Sequence, residues 1–143
     1  MITDYWKDTG TPEDIIHANR AILEKMNSYF FGRKEVNVIL KGKIMVGEGT
    51  LIKTGAKIKG PVMIGRNCII EPDTIVGPNT SIGDDSRIAL CDINNSIIMS
   101  GCNIECKGKI RNSIIAYNST IIYDQTKQNE KVFLLGEGTK III

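Results

Sequence analysis

The sequence predicts a mainly β protein, a parallel β-helix of triangular coils preceded by one amphipathic α-helix. Three observations predict this fold. Aliphatic residues recur at intervals of six, turn-forming residues recur with the same period, and a helical apolar pattern precedes both. Because no ordinary sheet requires a period of six, the repeat decides the fold class.

The six-residue repeat consists of two sets of side chains. Nine aliphatic residues stand six apart, at Leu40, Val46, Ile52, Ile58, Ile64, Ile70, Val76, Ile82 and Ile88. A smaller set stands two positions before most of them, at Ile44, Thr50, Ala56, Val62, Cys68, Thr74, Thr80 and Ser86. Since side chains two apart on a strand share a face, both sets are predicted to point inward.

The residues between these positions are typical of sharp turns. Three residues after the aliphatic stand Gly49, Gly55, Pro61, Asn67, Asp73, Asn79 and Asp85. Gly, Asn and Asp tolerate positive φ, so six of these seven suit a corner, whereas Pro61 holds φ negative. Strand and corner at a constant period predict a three-sided coil, with successive coils stacked ~4.8 Å apart through parallel ladders.

Beyond Ile88 the phase of the repeat slips, but the pattern continues. Ile93 and Ile98 follow at intervals of five, and Ile104 and Ile110 resume the interval of six. The string NSII at 95–98 returns at 112–115, seventeen residues later and about one coil along. The polar string YDQTKQNEK predicts a loop at residues 123–131, and residues 132–143 are predicted to form the terminal coil, giving about five to six coils in all.

The front segment predicts a helix. Thr11 is a good N-cap, and Pro12 suits the first helical position. An apolar pattern of helical spacing then continues to about Phe31, and Gly32 is expected to end it. Its apolar face needs a partner, for which the first coil or a neighbouring subunit is the simplest. The predicted division is residues 1–35 for this segment and 36–143 for the β-helix domain.

Composition excludes several classes of function. The chain has 143 residues, with 18 Lys and Arg against 16 Asp and Glu, for a net charge of +2. So balanced a charge does not favour nucleic acid or a membrane surface as partner. No apolar run approaches the roughly 18 residues of a membrane span, and no signal peptide is evident, so a cytoplasmic protein is expected.

The cysteines and the single histidine give no strong site signal. Cys68, Cys91, Cys102 and Cys106 form no CxxC pair and match no zinc signature, so buried reduced thiols are expected. His17 falls within the leading helix and is interpreted as an ordinary surface side chain.

The string YWKDTGTPEDIIHANRAIL followed by six-residue repeats carries a family resemblance. It resembles the C-terminal part of the long-type sugar-1-phosphate nucleotidylyltransferases, of the glucose-1-phosphate thymidylyltransferase kind. The resemblance implies a Rossmann-like catalytic domain that ends in a W-x-D-T-G segment and a helix, followed by a hexapeptide-repeat β-helix. The left hand of that β-helix comes from the resemblance alone.

By the same resemblance, Asp8 matches the family aspartate that helps hold a catalytic magnesium, within a segment that includes Trp6, Thr9 and Gly10. The family's Gly-rich nucleotide signature and its second metal aspartate have no counterpart in the sequence. The chain by itself is therefore expected to be inactive, with no catalytic residue and no cofactor of its own. Magnesium belongs to the parent family, and Asp8 is expected not to function alone.

These features predict a non-catalytic assembly domain related to a sugar-1-phosphate nucleotidylyltransferase. Outward-facing apolar residues on a β-helix indicate subunit contact, and the candidates are Leu51, Met63, Ile69 and Ile75. Leu51 and Ile69 are predicted to stack on one face, Ile75 to lie on a second and Met63 on the third. A homo-oligomer is expected, with a trimer favoured over an even-numbered assembly.

Three alternatives stay open at this point. The chain can complete a nucleotidylyltransferase by binding a separate catalytic polypeptide that carries the missing domain. It can be an acyltransferase, although such enzymes use a histidine base on a coil and these repeats contain none. A γ-type carbonic anhydrase is the least favoured of the three, since its zinc needs three histidines and the sequence has one.

Overall fold

The computed structural model describes residues 11–122 and the backbone of two later strands. One helix, α1, spans Pro12–Lys25. The strands are β1 (Tyr29–Phe30), β2 (Arg33–Lys34), β3 (Ile39–Lys41), β4 (Ile44–Val46), β5 (Leu51–Ile52), β6 (Lys57–Lys59), β7 (Val62–Ile64), β8 (Ile69–Ile70), β9 (Ile75–Val76), β10 (Thr80–Ile82), β11 (Arg87–Ala89), β12 (Asp92–Asn94), β13 (Ile97–Ile98), β14 (Asn103–Glu105), β15 (Lys109–Arg111), β16 (Ile114–Ile115), β17 (Thr120–Ile122), β18 (Leu134–Leu135) and β19 (Lys140–Ile142).

The strands form three parallel sheets, one for each side of a triangular column. Sheet A has the order β1-β4-β7-β10-β13-β16-β18, sheet B the order β2-β5-β8-β11-β14-β17-β19, and sheet C the order β3-β6-β9-β12-β15. Three consecutive strands therefore make one coil: β1–β3 are coil 1, β4–β6 coil 2, β7–β9 coil 3, β10–β12 coil 4 and β13–β15 coil 5. The predicted β-helix of stacked triangular coils is confirmed.

The two final strands extend sheets A and B. Strand β18 pairs with β16, and β19 pairs with β17, both in parallel. The predicted loop at 123–131 lies outside the described residues.

Coil length changes along the column. On sheet A, Val46 pairs with Ile64 and Ile64 with Ile82, so two successive partners are eighteen residues apart. Ile82 then pairs with Ile98, sixteen residues later, and Ile98 with Ile115, seventeen residues later. The phase slips in the sequence are therefore shortened corners, and the sheets remain in register across them.

The aliphatic residues of the repeat fill the column. From Val46 to Ile88 all eight of them are at most 1% exposed. Leu40 is only partly buried, because coil 1 is the first coil of the column and has a neighbour on one side only. After the slip, Ile93, Ile98, Ile104 and Ile110 return to the same core.

The polar members of the inward set are buried with their hydrogen bonds made. Thr50 Oγ1 donates to the Gly65 carbonyl at 2.6 Å and accepts from the Cys68 amide at 3.0 Å. Two coils along the column, Ser86 Oγ accepts from the Cys102 amide at 3.2 Å. A hydroxyl inside the column is tolerated because it bonds backbone groups at the corner between sheets A and B.

The corners adopt the backbone conformation that the residue types predict. Positive φ occurs at Gly49, Gly55, Asn67, Asp73, Asn79 and Asp85, which are the six predicted positions, and not at Pro61. The shortened coils add two residues that the repeat does not predict there, Leu90 (φ 59°) and Lys107 (φ 47°). A left-handed leucine or lysine is strained relative to Gly, Asn or Asp.

Helix α1 begins as predicted and ends earlier. The Thr11 side chain accepts from the Asp14 amide at 3.1 Å, which confirms the N-cap. The helix ends at Lys25 and not near Phe31, which corrects the prediction. Tyr29 and Phe30 form β1 instead, because their backbone pairs with Met45 and Val46 of coil 2. Coil 1 therefore starts within residues 1–35.

The helix lies along sheet A and is not confined to the first coil. Its residues Ile15 and Ile16 pack with Ile114, while Asn19 Oδ1 accepts from Ser81 Oγ at 2.8 Å. At its other end, Lys43 donates to the Glu24 carbonyl. The helix thus covers sheet A from the sixth strand back to the second. Among the described helices, none is long and apolar enough to span a membrane.

Candidate functional site

The chemistry-bearing segment of the resemblance, with Asp8 and Trp6, lies outside the described residues. Within residues 11–122, no group of three or more His, Cys, Asp and Glu side chains is placed to hold a metal ion. The candidate site is therefore the outer surface of the column, where the four predicted interface residues lie on three sheets.

Sheet A is the face covered by helix α1. Its outward residues Met45 and Ser81 are buried, and Ile97 packs on the cluster of Ile15, Ile16 and Ile114. Met63 lies on this face between Met45 and Ser81, in register with both, and is half-buried. The structure thus places Met63 on the third face, as predicted, beside the chain's own helix.

Sheet B carries the predicted stack of apolar residues. Leu51 and Ile69 are direct cross-strand partners on neighbouring coils, and Ile69 is 37% exposed. The next residue in the column is Arg87, which pairs in register with Ile69. Two adjacent aliphatic side chains therefore form a short apolar strip that no part of the described chain covers.

A ladder of ion pairs runs beside this strip and joins four coils. Glu71 Oε1 lies 2.9 Å from Lys53 Nζ, and Glu71 Oε2 lies 2.6 Å from Arg87 Nε. Arg87 also reaches Glu105 at 3.4 Å. The hydrogen bond from Lys53, supported by Arg87, lowers the pKa of the Glu71 carboxyl below its usual range of about 4.5. Both Glu71 oxygens are thus fixed by cations from the coils on either side.

Sheet C carries a second apolar pair and several lysines. Ile39 and Ile75 stand two coils apart with Lys57 between them, and both isoleucines are more than a third exposed. They line a depression of about 460 Å³ that Lys41 and Lys59 also border. The structure therefore places Ile75 on the second face, as predicted.

The single histidine is not on a coil. His17 is exposed on α1, where it borders a small depression of about 190 Å³ with Glu13, Arg20, Asn95 and Asn112. Glu13 is the one carboxylate that lines this depression. The arrangement places no histidine base on a β-helix coil, where an acyltransferase has one.

The four cysteines are all buried and none forms a disulfide, as predicted. Burial raises the pKa of the thiols of Cys68, Cys91 and Cys102. Sequence reasoning missed one feature of this set: the Sγ atoms of Cys91 and Cys106 lie 2.8 Å apart. The ion ladder on sheet B was also missed, although its members recur at coil spacing in the sequence.

Known proteins resemble this chain over most of its length. A glucose-1-phosphate thymidylyltransferase of Streptomyces antibioticus is 33% identical over all of the chain and 40% of its own length. The bifunctional protein GlmU of Methanocaldococcus jannaschii is 33% identical over 94% of the chain and 38% of its own length. A bifunctional sugar-1-phosphate nucleotidylyltransferase/acetyltransferase of Sulfurisphaera tokodaii is 36% identical over 78% of the chain and 28% of its own length.

The chain thus spans about two-fifths or less of these relatives, and it matches their C-terminal parts. Its relatives are nucleotidyltransferases, and the part they share with this chain is a C-terminal β-helix domain. The family model of the GMPPB C-terminal domain matches residues 58–141, which is more than half of the chain. With its three-sided column of repeats, the chain therefore belongs to the GMPPB C-terminal domain family.

Proposed function

We propose that this β-helix is the assembly domain of a sugar-1-phosphate nucleotidylyltransferase of the glucose-1-phosphate thymidylyltransferase kind, and that it is not itself catalytic. The match to the C-terminal parts of nucleotidyltransferases carries this proposal. The interior of the column supports it, because aliphatic side chains and hydroxyls bonded to backbone occupy it and leave no room for a substrate.

The uncovered faces support the assembly role. Helix α1 covers sheet A, so sheets B and C are the faces left for a partner. The pair Leu51 and Ile69 lies on sheet B, and Ile39 with Ile75 lies on sheet C. A contact between unlike faces of two copies is heterologous, and such contacts form a closed ring when the rotation from copy to copy closes. This favours a homotrimer, with sheet B of one copy on sheet C of the next.

Magnesium belongs to the reaction of the whole enzyme. By resemblance, Asp8 is the residue of this chain that would help hold it, and a divalent ion neutralises phosphate charge during nucleotidyl transfer. The described residues offer no cluster of carboxylates for it. We therefore assign no step of the reaction to the β-helix.

An assay of pyrophosphate release tests the proposal. The purified chain, with a nucleoside triphosphate, a sugar 1-phosphate and magnesium, is expected to release none. A chimera that joins the N-terminal part of the Streptomyces antibioticus relative to this chain is expected to release pyrophosphate and to have the subunit number of this chain. Turnover by the isolated chain would contradict the non-catalytic role. A monomeric, fully active chimera would contradict the assembly role.

Acetyl transfer is the second candidate, favoured by the name of the Sulfurisphaera tokodaii relative. The position of the single histidine, exposed on α1, argues against it. Incubation with acetyl-coenzyme A and sugar phosphates, followed by titration of the released coenzyme A thiol, distinguishes acetyl transfer from the non-catalytic assembly role. No thiol release is expected, and release that depends on the chain would replace the assembly proposal.

A further inference from the structure

The corner between sheets B and C is one residue shorter in coil 4 than in its neighbours. Ala89 pairs with Glu105, and Asp92 pairs with Lys109, so both sides of the corner are in register. Between these pairs, coil 5 has three residues, Cys106, Lys107 and Gly108, whereas coil 4 has two, Leu90 and Cys91. The missing residue explains why Ile88 and Ile93 are five residues apart and not six.

The short corner brings two thiols together. Cys91 and Cys106 are 3% and 4% exposed, and their Sγ atoms lie 2.8 Å apart, across neighbouring coils. In coil 3, where the corner has its full length, the position equivalent to Cys106 is occupied by Pro72 and is exposed. The contact between the sulfurs is therefore specific to the shortened corner.

The backbone around the pair is held by the ladders on both sides. The Asp92 amide donates to the Gly108 carbonyl at 2.8 Å, and Cys91 Sγ donates to the Ala89 carbonyl at 3.1 Å. The other two cysteines make a contrast, because Cys68 and Cys102 stand two coils apart with Ser86 between them. Two coils correspond to about 9.5 Å, which is too far for a disulfide.

We propose that Cys91 and Cys106 are a reversible disulfide site that a hydroperoxide closes, joining coils 4 and 5 by a covalent bond. A surface depression lined by Leu90, Cys91, Lys107 and Gly108 gives a small oxidant a path to Cys91. The site is independent of the assembly role, since it rests on the core of one chain.

The chemistry balances in two steps. The thiolate of one of the two cysteines attacks one peroxide oxygen, which breaks the O–O bond and leaves a sulfenic acid on that cysteine and hydroxide. The thiol of the other cysteine then attacks that sulfur, the S–S bond forms, and water leaves. Cys106 Sγ donates to Cys91 Sγ, and Cys91 Sγ donates to the Ala89 carbonyl, so hydrogen bonds orient both sulfurs.

Two double variants test the site. Cys68→Ser/Cys102→Ser keeps the proposed pair, and Cys91→Ser/Cys106→Ser keeps two equally buried thiols that cannot meet. After mild hydrogen peroxide, the first is expected to lose both thiols and two hydrogen masses, and its Tm is expected to rise by about 5 °C, as for a short closed loop. The second is expected to keep both thiols, and dithiothreitol is expected to reverse the change in the first.

The unsubstituted chain provides a check that does not depend on serine in the core. Cleavage before aspartate and after glutamate separates Cys91, Cys102 and Cys106 into different peptides, and the linked pair is expected to be 91 with 106. If the sulfurs of the first variant instead react one at a time, at the same rate as those of the control and without loss of the two hydrogens, the proposed site is wrong. Linkage of any other pair in the unsubstituted chain also rejects it.

Discussion

Coils 2 and 3 and coils 4 and 5 fill one continuous aliphatic core, but they turn their corners differently. In coils 2 and 3, residues with positive φ are Gly, Asn or Asp, and the repeat is eighteen residues. In coils 4 and 5, two corners use Leu90 and Lys107, and the repeat falls to sixteen and seventeen. The core thus depends on strand register, which both regions keep, whereas corner chemistry is free to vary at a local cost.

The largest expected effect is an equal loss of stability when a buried isoleucine is changed to alanine in either region. Ile70 in coil 3 and Ile104 in coil 5 are both fully buried. Changing either to Ala is expected to lower the free energy of unfolding by about 3–4 kcal/mol, since each leaves a cavity of the same kind. Denaturant unfolding of the two variants measures this. A cost for Ile104→Ala below about 1 kcal/mol would mean that the shortened coils are loosely packed, against our interpretation.

Exchanging the residue types at one regular and one shortened corner is expected to change the stability of the protein in opposite directions. Asn67 (φ 56°) and Leu90 (φ 59°) have nearly the same backbone conformation. Asn67→Leu is expected to destabilise by about 1 kcal/mol, and Leu90→Asn to stabilise by up to about 1 kcal/mol, because leucine is strained at positive φ. Leu90 is 48% exposed, so little packing is lost with it. Thermal unfolding of both variants gives the sign, and a loss of stability in Leu90→Asn would show that packing outweighs strain there.

The ion ladder crosses from the regular to the shortened coils, and its contribution is expected to depend on pH. The folded-state pKa of Glu71 lies below its unfolded value, so the stabilisation is present above about pH 4.5 and is lost as the pH falls through the folded pKa. Glu71→Gln is expected to cost about 0.5–1 kcal/mol at pH 7 and less near pH 3. Glu105→Gln, with its single longer contact, is the control and is expected to cost less. An equal cost of Glu71→Gln at both pH values would show that the ionised pair does not stabilise the coils.

Most of the column could be predicted from the sequence, because the six-residue period fixes which side chains point inward. The stack of Leu51 on Ile69 followed directly from that period. The end of α1 could not be predicted in the same way. Tyr29 and Phe30 fit a helical face and a short strand equally well, and only the pairing with coil 2 decides between them.

The corners mark the other limit of prediction. The interval of five before Ile93 signals a missing residue, but not the corner from which it is lost. Only the paired registers on both sides, Ala89 with Glu105 and Asp92 with Lys109, locate the loss beside Cys91. The contact between Cys91 and Cys106 depends on side-chain direction at a distorted corner, which no periodic rule gives.

Subunit number, measured by light scattering, is the most direct test of the assembly role. The chain has a mass of 15.8 kDa, and a trimer is expected at about 47 kDa. Ile69→Glu, on the open strip of sheet B, is expected to reduce the mass to that of the monomer, whereas Ile22→Glu, at a 58% exposed position of α1, is expected to leave it unchanged. A mass of 15.8 kDa for the unsubstituted chain would contradict the assembly role.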